Sequence, residues 1–112
     1  MKFEDLQKIT LEWADDKDLL HAENADKQFM KFIEEVFEFK TEMDNYDLDP
    51  GSLKTYFFRN MKHEMGDIFV TLIILCEQIG IDPVECLSMA YKKISKRTGK
   101  TINGQFIKSE DL

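Results

Sequence analysis

The sequence lacks several features that define common classes of protein. It has only two cysteines, Cys76 and Cys86, whose spacing fits no zinc motif. Both lie in apolar helical stretches, so buried free thiols are expected rather than a disulfide. The most apolar stretch, Ile68 to Cys76, is far shorter than the roughly 20 residues of a membrane span. Met1 to Ile9 alternates charged and apolar residues, unlike a signal peptide, so we expect a cytoplasmic protein.

Basic charge is also in short supply. The chain has 15 Lys and Arg against 22 Asp and Glu, a net charge of −7. A nucleic-acid polymer is not expected as a partner, because phosphate backbones select basic surfaces. A single nucleotide held through a metal is compatible with this charge, although the sequence has no Gly-rich phosphate loop. With 112 residues, 43% hydrophobic and 33% charged, and no repeat or linker, the sequence predicts one soluble domain over residues 1–112.

Hydrophobic periodicity predicts an all-α, four-helix bundle-like fold with a short C-terminal β-hairpin or extended arm. The predicted helices run from Phe3 to about Asp18, Lys27 to Tyr46, Leu53 to Ile79, and Asp82 to about Arg97. The third helix is long enough to allow a bend or break near Asn60. Asn103-Gly104 predicts a hairpin turn between Lys100 and Lys108.

Capping residues support these boundaries. Asn24 or Asp26 is expected to cap the second helix and Ser52 the third. Gly80 suits the left-handed residue that ends the third helix. Asp82 followed by Pro83 is a strong start signal for the fourth.

Acidic residues line one flank of the second helix. Because positions three and four apart share a helix face, the following residues form one polar row: Gln28, Lys31, Glu35, Glu38 and Glu42. Glu34 points further toward solvent. Glu35 and Glu38, three positions apart, can both reach a single ion. The alternative is that this row is a solvated helix edge in an acidic protein.

A second acidic pair, Glu64 and Asp67, opens the most apolar stretch of the chain. Gly66 lies between them and leaves room for another backbone or a ligand. Four carboxylates that meet in a partly buried place are protonated or bind a cation. All-oxygen ligation suits magnesium, manganese or calcium. The alternative is an acidic first turn that complements the helix dipole. His63 is a metal ligand or an ordinary surface histidine.

Three further features have two interpretations each. Trp13 is a core anchor, or it stacks on a base. Tyr91 belongs to the core or to a binding site. The densest basic patch, Lys92, Lys93, Lys96 and Arg97, complements the end of the fourth helix or neutralises a triphosphate.

The motifs in order resemble the MazG-like family of all-α nucleoside triphosphate pyrophosphohydrolases, most closely its small phage-type single-domain members. The resemblance rests on Gln28-x-x-Lys31-x-x-Glu34-Glu35-x-x-Glu38, Glu64-x-x-Asp67, Ala90 to Arg97, Gly99-Lys100, Asn103-Gly104, and Trp13 with the acidic residues after it. The sequence departs from the family pattern at Lys92, where relatives often have asparagine.

This resemblance implies a homodimer or homotetramer that hydrolyses a (deoxy)nucleoside triphosphate to a monophosphate and pyrophosphate. The cofactor would be Mg²⁺, with Mn²⁺ as a substitute. The residues that match metal ligands are Glu35, Glu38, Glu64 and Asp67. Glu34 matches a glutamate that orients or activates the attacking water. The residues that match or are predicted as substrate contacts are Gln28, Lys31, Trp13, Tyr91, Lys93 and Arg97.

Two other functions compete with this one. The first is a non-catalytic helical module that binds nucleotides or a protein and carries a structural acidic or metal-binding face. The second is a di-iron carboxylate bundle. It is weaker, because such bundles use Glu-x-x-His motifs and neither His21 nor His63 has that spacing.

Overall fold

The computed structural model describes residues 1–112 and confirms the all-α class with a C-terminal hairpin. Its elements are α1 (Phe3–Asp16), α2 (Ala25–Leu48), α3 (Lys54–Ile79), α4 (Pro83–Ile94), β1 (Gly99–Ile102) and β2 (Gln105–Lys108). They form two compact units, Met1–Gly80 and Ile81–Leu112. None of the helices combines the length and apolar character needed to cross a membrane. The single domain over residues 1–112 stays a prediction.

Helix α1 ends at Asp16, two residues before the predicted end. Asp18 adopts φ +60°, a left-handed conformation that short polar residues tolerate and that a helix cannot continue through. The Leu19 N–H then donates to the Ala14 carbonyl at 2.9 Å. The Asp18 carboxylate pairs with His21 Nε2 at 2.5 Å, which fixes the turn toward α2.

Helices α2 and α3 form an antiparallel pair, and the cap predicted between them is wrong. Leu53, not Ser52, precedes the first residue of α3. The Asp49 carboxylate accepts hydrogen bonds from the Gly51 and Leu53 N–H groups at 2.7 and 3.0 Å, so an Asx-type turn leads into α3, whose first turn has no side-chain cap. Gly51 has φ +134°, a conformation that requires glycine.

Helix α3 runs without a break from Lys54 to Ile79, so the break that its length allowed near Asn60 does not occur. The Asn60 side chain instead donates from Nδ2 to Glu42 Oε2 at 3.1 Å and ties α3 to α2. Gly80 ends the helix in the predicted left-handed conformation, with φ +77°.

The core of Met1–Gly80 centres on the second half of α3, as the apolar stretch predicted. Its buried residues are Ala14 from α1 and Thr71, Ile73, Ile74, Cys76 and Gln78 from α3. Gln78 donates from Nε2 to the Leu19 carbonyl at 2.8 Å. The rings of Phe3 and Phe69 meet edge to face at 6.0 Å. These contacts hold α1 and the turn after it against α3.

The second unit, Ile81–Leu112, has no residue buried to the extent of that core. The Asp82 side chain accepts from the Val84 N–H at 3.0 Å, with Pro83 in the first turn, as predicted. Helix α4 ends at Ile94, three residues before the predicted end, and a turn follows. Cys86 is exposed and forms no disulfide, so the prediction that both thiols are buried is wrong for this one.

The hairpin follows the predicted Asn-Gly turn. Its strands are antiparallel, with Gly99 opposite Lys108 and Ile102 opposite Gln105. Asn103 and Gly104 both have positive φ, +51° and +79°, as a type I′ turn requires. A Cβ atom on Gly99 would lie 2.1 Å from the Ile107 carbonyl oxygen and 2.8 Å from the Phe106 ring. Only glycine therefore lets the Phe106 ring lie where it does.

Candidate metal and nucleotide site

Three of the predicted carboxylates meet between α2 and α3. Glu35 from α2 and Glu64 and Asp67 from α3 each place one oxygen within 4.8 Å of the other two. Glu35 is 6% exposed, Glu64 is half-buried, and Asp67 is exposed. The cluster therefore reaches from the interior of the helix pair to its surface, where a ligand has access. We call these three residues the carboxylate cluster.

Two side-chain amides tie the helices together on either side of this cluster. Gln28 donates from Nε2 to the Thr71 carbonyl at 3.2 Å. Asn60 donates to Glu42 at the opposite end. Because α2 and α3 are antiparallel, these ties set the register in which Glu35 faces the Glu64 and Asp67 turn. From the polar row predicted on α2, Gln28, Glu35 and Glu42 thus face α3.

The buried oxygens of the carboxylate cluster are not satisfied by the protein. Glu35 Oε2 and Glu64 Oε2 are buried and have no hydrogen-bond partner. Burial is the main cause that raises the pKa of Glu35; the ion pair with Lys31 opposes it, and the neighbouring Glu38 adds to it. Burial also raises the pKa of Glu64, and the charges of Asp67 and Glu35 raise it further. Such a site favours protons or a cation.

The donor set of the carboxylate cluster fits a hard divalent cation. All the available ligand atoms are carboxylate oxygens, which magnesium, manganese and calcium prefer. The two unpartnered oxygens are the atoms that a cation would satisfy. Gly66, in the same turn of α3, has no atom within 4 Å of where a Cβ would lie. The predicted close approach of another backbone is therefore absent, and the space is open to a ligand.

Glu38, Glu34 and Lys31 surround the cluster on α2. Glu38 is exposed and lies outside the group of three, but it raises the pKa of Glu35 and lowers that of Glu64. Lys31 Nζ is 3.3 Å from Glu35 Oε1 and 3.6 Å from Glu34 Oε2. The hydrogen bond to Glu35 is the main cause that raises the pKa of Lys31. Glu34 faces solvent, as its helix position predicted.

Two residues with more than one predicted role lie away from the cluster. Trp13 is 51% exposed, so it is not a buried core anchor within this chain. It lines a shallow hollow of about 330 Å³ with Ile9, Thr10 and Val70. His63 is exposed and is not part of the carboxylate cluster.

The second unit holds the remaining predicted substrate contacts. Tyr91 and Arg97 line an open hollow of about 620 Å³ together with Ile94, Ser95 and Phe106. Lys93 lies in the last turn of α4. Phe106 was not among the residues predicted from the sequence. Gly99 could have indicated that another group packs closely there, since a glycine in a strand often marks such a close approach.

The fold is all-α, and the carboxylate cluster between α2 and α3 is a group that could hold a metal ion. The family model of the MazG nucleotide pyrophosphohydrolase domain matches residues 23–102, which include the whole cluster. The chain therefore belongs to the MazG family. No curated protein and no solved structure shows significant similarity to it.

Proposed function

We propose that this protein is a divalent-metal-dependent pyrophosphohydrolase that converts a (deoxy)nucleoside triphosphate to a monophosphate and pyrophosphate. The observation that carries the proposal is the carboxylate cluster, with two buried oxygens that lack partners. Family membership supports the same class of reaction. An acidic surface with no ligand is not expected to bury such oxygens, because burying an unpartnered charge destabilises the fold.

The metal site would be formed by the carboxylate cluster together with Glu38. Mg²⁺ is the proposed ion, and Mn²⁺ a substitute with the same preference for oxygen ligands. When bound, such an ion offsets phosphate charge and makes water more acidic. The Oε2 atoms of deprotonated Glu35 and Glu64 would then gain a partner that the protein alone does not give them.

Residues around the cluster would position the reactants. Glu34 is exposed beside Lys31, where its carboxylate can orient water and accept a proton. In the reaction the water oxygen bonds to the α-phosphorus while the bond from that phosphorus to the α–β bridging oxygen breaks. Pyrophosphate leaves with the bridging oxygen and the electron pair of the broken bond. Lys31 can turn from Glu35 toward a phosphate, and Gln28 lines the same helix face.

The second unit supplies the other proposed substrate contacts. Arg97 and Lys93 would bind phosphate oxygens through charge-assisted hydrogen bonds. Tyr91 and Phe106, which line the same hollow as Arg97, offer aromatic faces to a nucleobase. Trp13 offers another partly exposed aromatic face. The exposed Met30 and Phe37, which line one hollow on α2, support a homodimer or homotetramer, since a second copy would cover apolar surface of this kind.

A panel of ribo- and deoxyribonucleoside triphosphates tests this function, with Mg²⁺ or Mn²⁺ added and both pyrophosphate and phosphate measured. We expect pyrophosphate from at least one substrate. We also expect its loss in Glu38→Ala and in Asp67→Ala, with helical circular dichroism intact. Release of single phosphate, or no turnover across the panel, would contradict the proposal. Nucleotide binding without turnover would favour the non-catalytic module.

A further inference from the structure

The pair formed by Asn60 and Glu42 lies beside the carboxylate cluster. Asn60 precedes Glu64 by four residues on α3, and Glu42 follows Glu38 by four residues on α2. Each of the two is thus one helical turn from a residue of the proposed metal site. Asn60 Nδ2 donates to Glu42 Oε2 at 3.1 Å, and both side chains are half-buried.

This hydrogen bond separates Glu42 from the other acids of its row. Glu35, Glu38 and Glu42 continue one helix face, and the sequence does not show where the ligands end. In the structure, the inner oxygens of Glu35 and Glu64 have no partner, whereas Glu42 Oε2 accepts the Asn60 amide. A neutral donor at position 60 satisfies Glu42 without adding a further negative charge.

The same hydrogen bond fixes one end of the helix pair. The other amide tie, from Gln28 to the Thr71 carbonyl, lies on the opposite side of the cluster. At the Asn60 end the Lys54 ammonium also donates to the Tyr46 carbonyl, so loss of the Asn60 bond would loosen the contact nearest the cluster and allow a small shift of α2 against α3. Glu35 would then move relative to Glu64 and Asp67, and groups that support metal ligands commonly act through such orientation.

We propose that Asn60 is a positioning residue of the metal site: by donating to Glu42 it holds α2 and α3 in the register that brings the carboxylate cluster together. It also keeps Glu42 out of the ligand set. This inference rests on the proposed metal-dependent function. It assigns Asn60 no contact with the ion or the substrate.

A metal titration without nucleotide tests the inference apart from catalysis. Mn²⁺ alone is added to the full-length protein, and the free ion is followed by electron paramagnetic resonance. We expect Asn60→Ala to weaken Mn²⁺ binding by about 3- to 10-fold, less than the loss typical of a direct partner of a metal ligand. Asn60→Leu keeps the side-chain volume if the alanine variant does not fold, and the same loss is expected.

A double-mutant cycle shows whether Asn60 acts through Glu42. In a Glu42→Ala background, Asn60→Ala should cause no further loss of Mn²⁺ affinity. Gln78→Ala is the matched control, because it removes a hydrogen bond to the Leu19 carbonyl at the far end of α3. It should lower the urea midpoint of the metal-free protein and leave Mn²⁺ affinity unchanged.

The remaining outcomes separate this inference from the proposed function. If the parent protein binds no Mn²⁺, both proposals are overturned. If the parent binds Mn²⁺ and the Asn60 variants bind it within about twofold of the parent, only the positioning role is overturned, even where the variants are less stable. An equal loss with and without Glu42 also overturns it, because Asn60 would then act independently of that residue.

Discussion

The two units of this chain place their candidate functional residues in different ways. In Met1–Gly80, Glu35 is buried between two long helices, and tertiary hydrogen bonds from Gln28 and Asn60 bracket the carboxylate cluster. In Ile81–Leu112, no side chain is buried to that extent, and Tyr91, Arg97 and Phe106 surround an open hollow. The first arrangement depends on the packing of helices distant in sequence, and the second on a helix end and a tight turn.

In the first unit, the features proposed to bind the metal also destabilise the metal-free fold. There, burial raises the pKa of Glu35 and Glu64 and leaves oxygens unpartnered, so the metal-free fold is strained at neutral pH. In the second unit, Lys93 and Arg97 are exposed and carry little such penalty. Substitutions that neutralise Glu35 or Glu64 should therefore change stability and activity in opposite directions, whereas those in the second unit should mainly change substrate affinity.

Glu35→Gln should give the largest effect. Turnover should fall by about 100-fold or more, because a ligand of the essential ion becomes neutral. The metal-free protein should become more stable at neutral pH, because glutamine removes a carboxylate whose pKa is raised mainly by burial. A pyrophosphate assay and urea unfolding without metal check the two effects. A variant that is both less stable and fully active would contradict this view of the first unit.

Gly99→Ala should affect the second unit alone. The added methyl group would lie 2.1 Å from the Ile107 carbonyl oxygen and 2.8 Å from the Phe106 ring, so the hairpin must shift. We expect KM for the nucleotide to rise by about 10-fold, comparable to the loss of a stacking contact. Mn²⁺ affinity without nucleotide should stay at the parental value. Thr101→Ala, on the same strand, is the control, and a parental KM for Gly99→Ala would show that the hollow does not bind substrate.

Most of the fold could be predicted from the sequence, but only part of the candidate site could. Short local motifs predict the helices and strands correctly: Asp82-Pro83 starts α4, Asn103-Gly104 makes the hairpin turn, and the apolar stretch of α3 forms the core. Ser52 is not the cap because Asp49 binds the Gly51 and Leu53 N–H groups in a turn that makes Leu53 the residue before α3. The pairing of Asn60 with Glu42 was not predicted, since it depends on the register between two helices that no local pattern specifies.

The pH dependence of the metal-free protein tests the strain in the first unit. The folded-state pKa values of Glu35 and Glu64 are raised above the ordinary 4.5. Their stabilising contribution is therefore fully present below that value and is lost as pH rises through the folded-state pKa. Each tenfold difference in proton affinity between the folded and unfolded states corresponds to a loss of about 1.4 kcal/mol. Mg²⁺ should restore stability above this window, and a Glu35→Gln/Glu64→Gln variant should show a flatter profile in urea unfolding.

The smallest effect is expected at the turn between α1 and α2, where a charged pair is fully exposed. The hydrogen bond and charge of Asp18 raise the pKa of His21 above 6.5. The pair therefore stabilises the fold below that value, and its contribution disappears as pH rises through the folded-state pKa. His21→Gln should lower Tm slightly near about pH 5.5 and not near about pH 8.5. Exposed pairs contribute little in general, so a large loss, or one that persists at the higher pH, would mean that His21 holds the turn by contacts other than its charge.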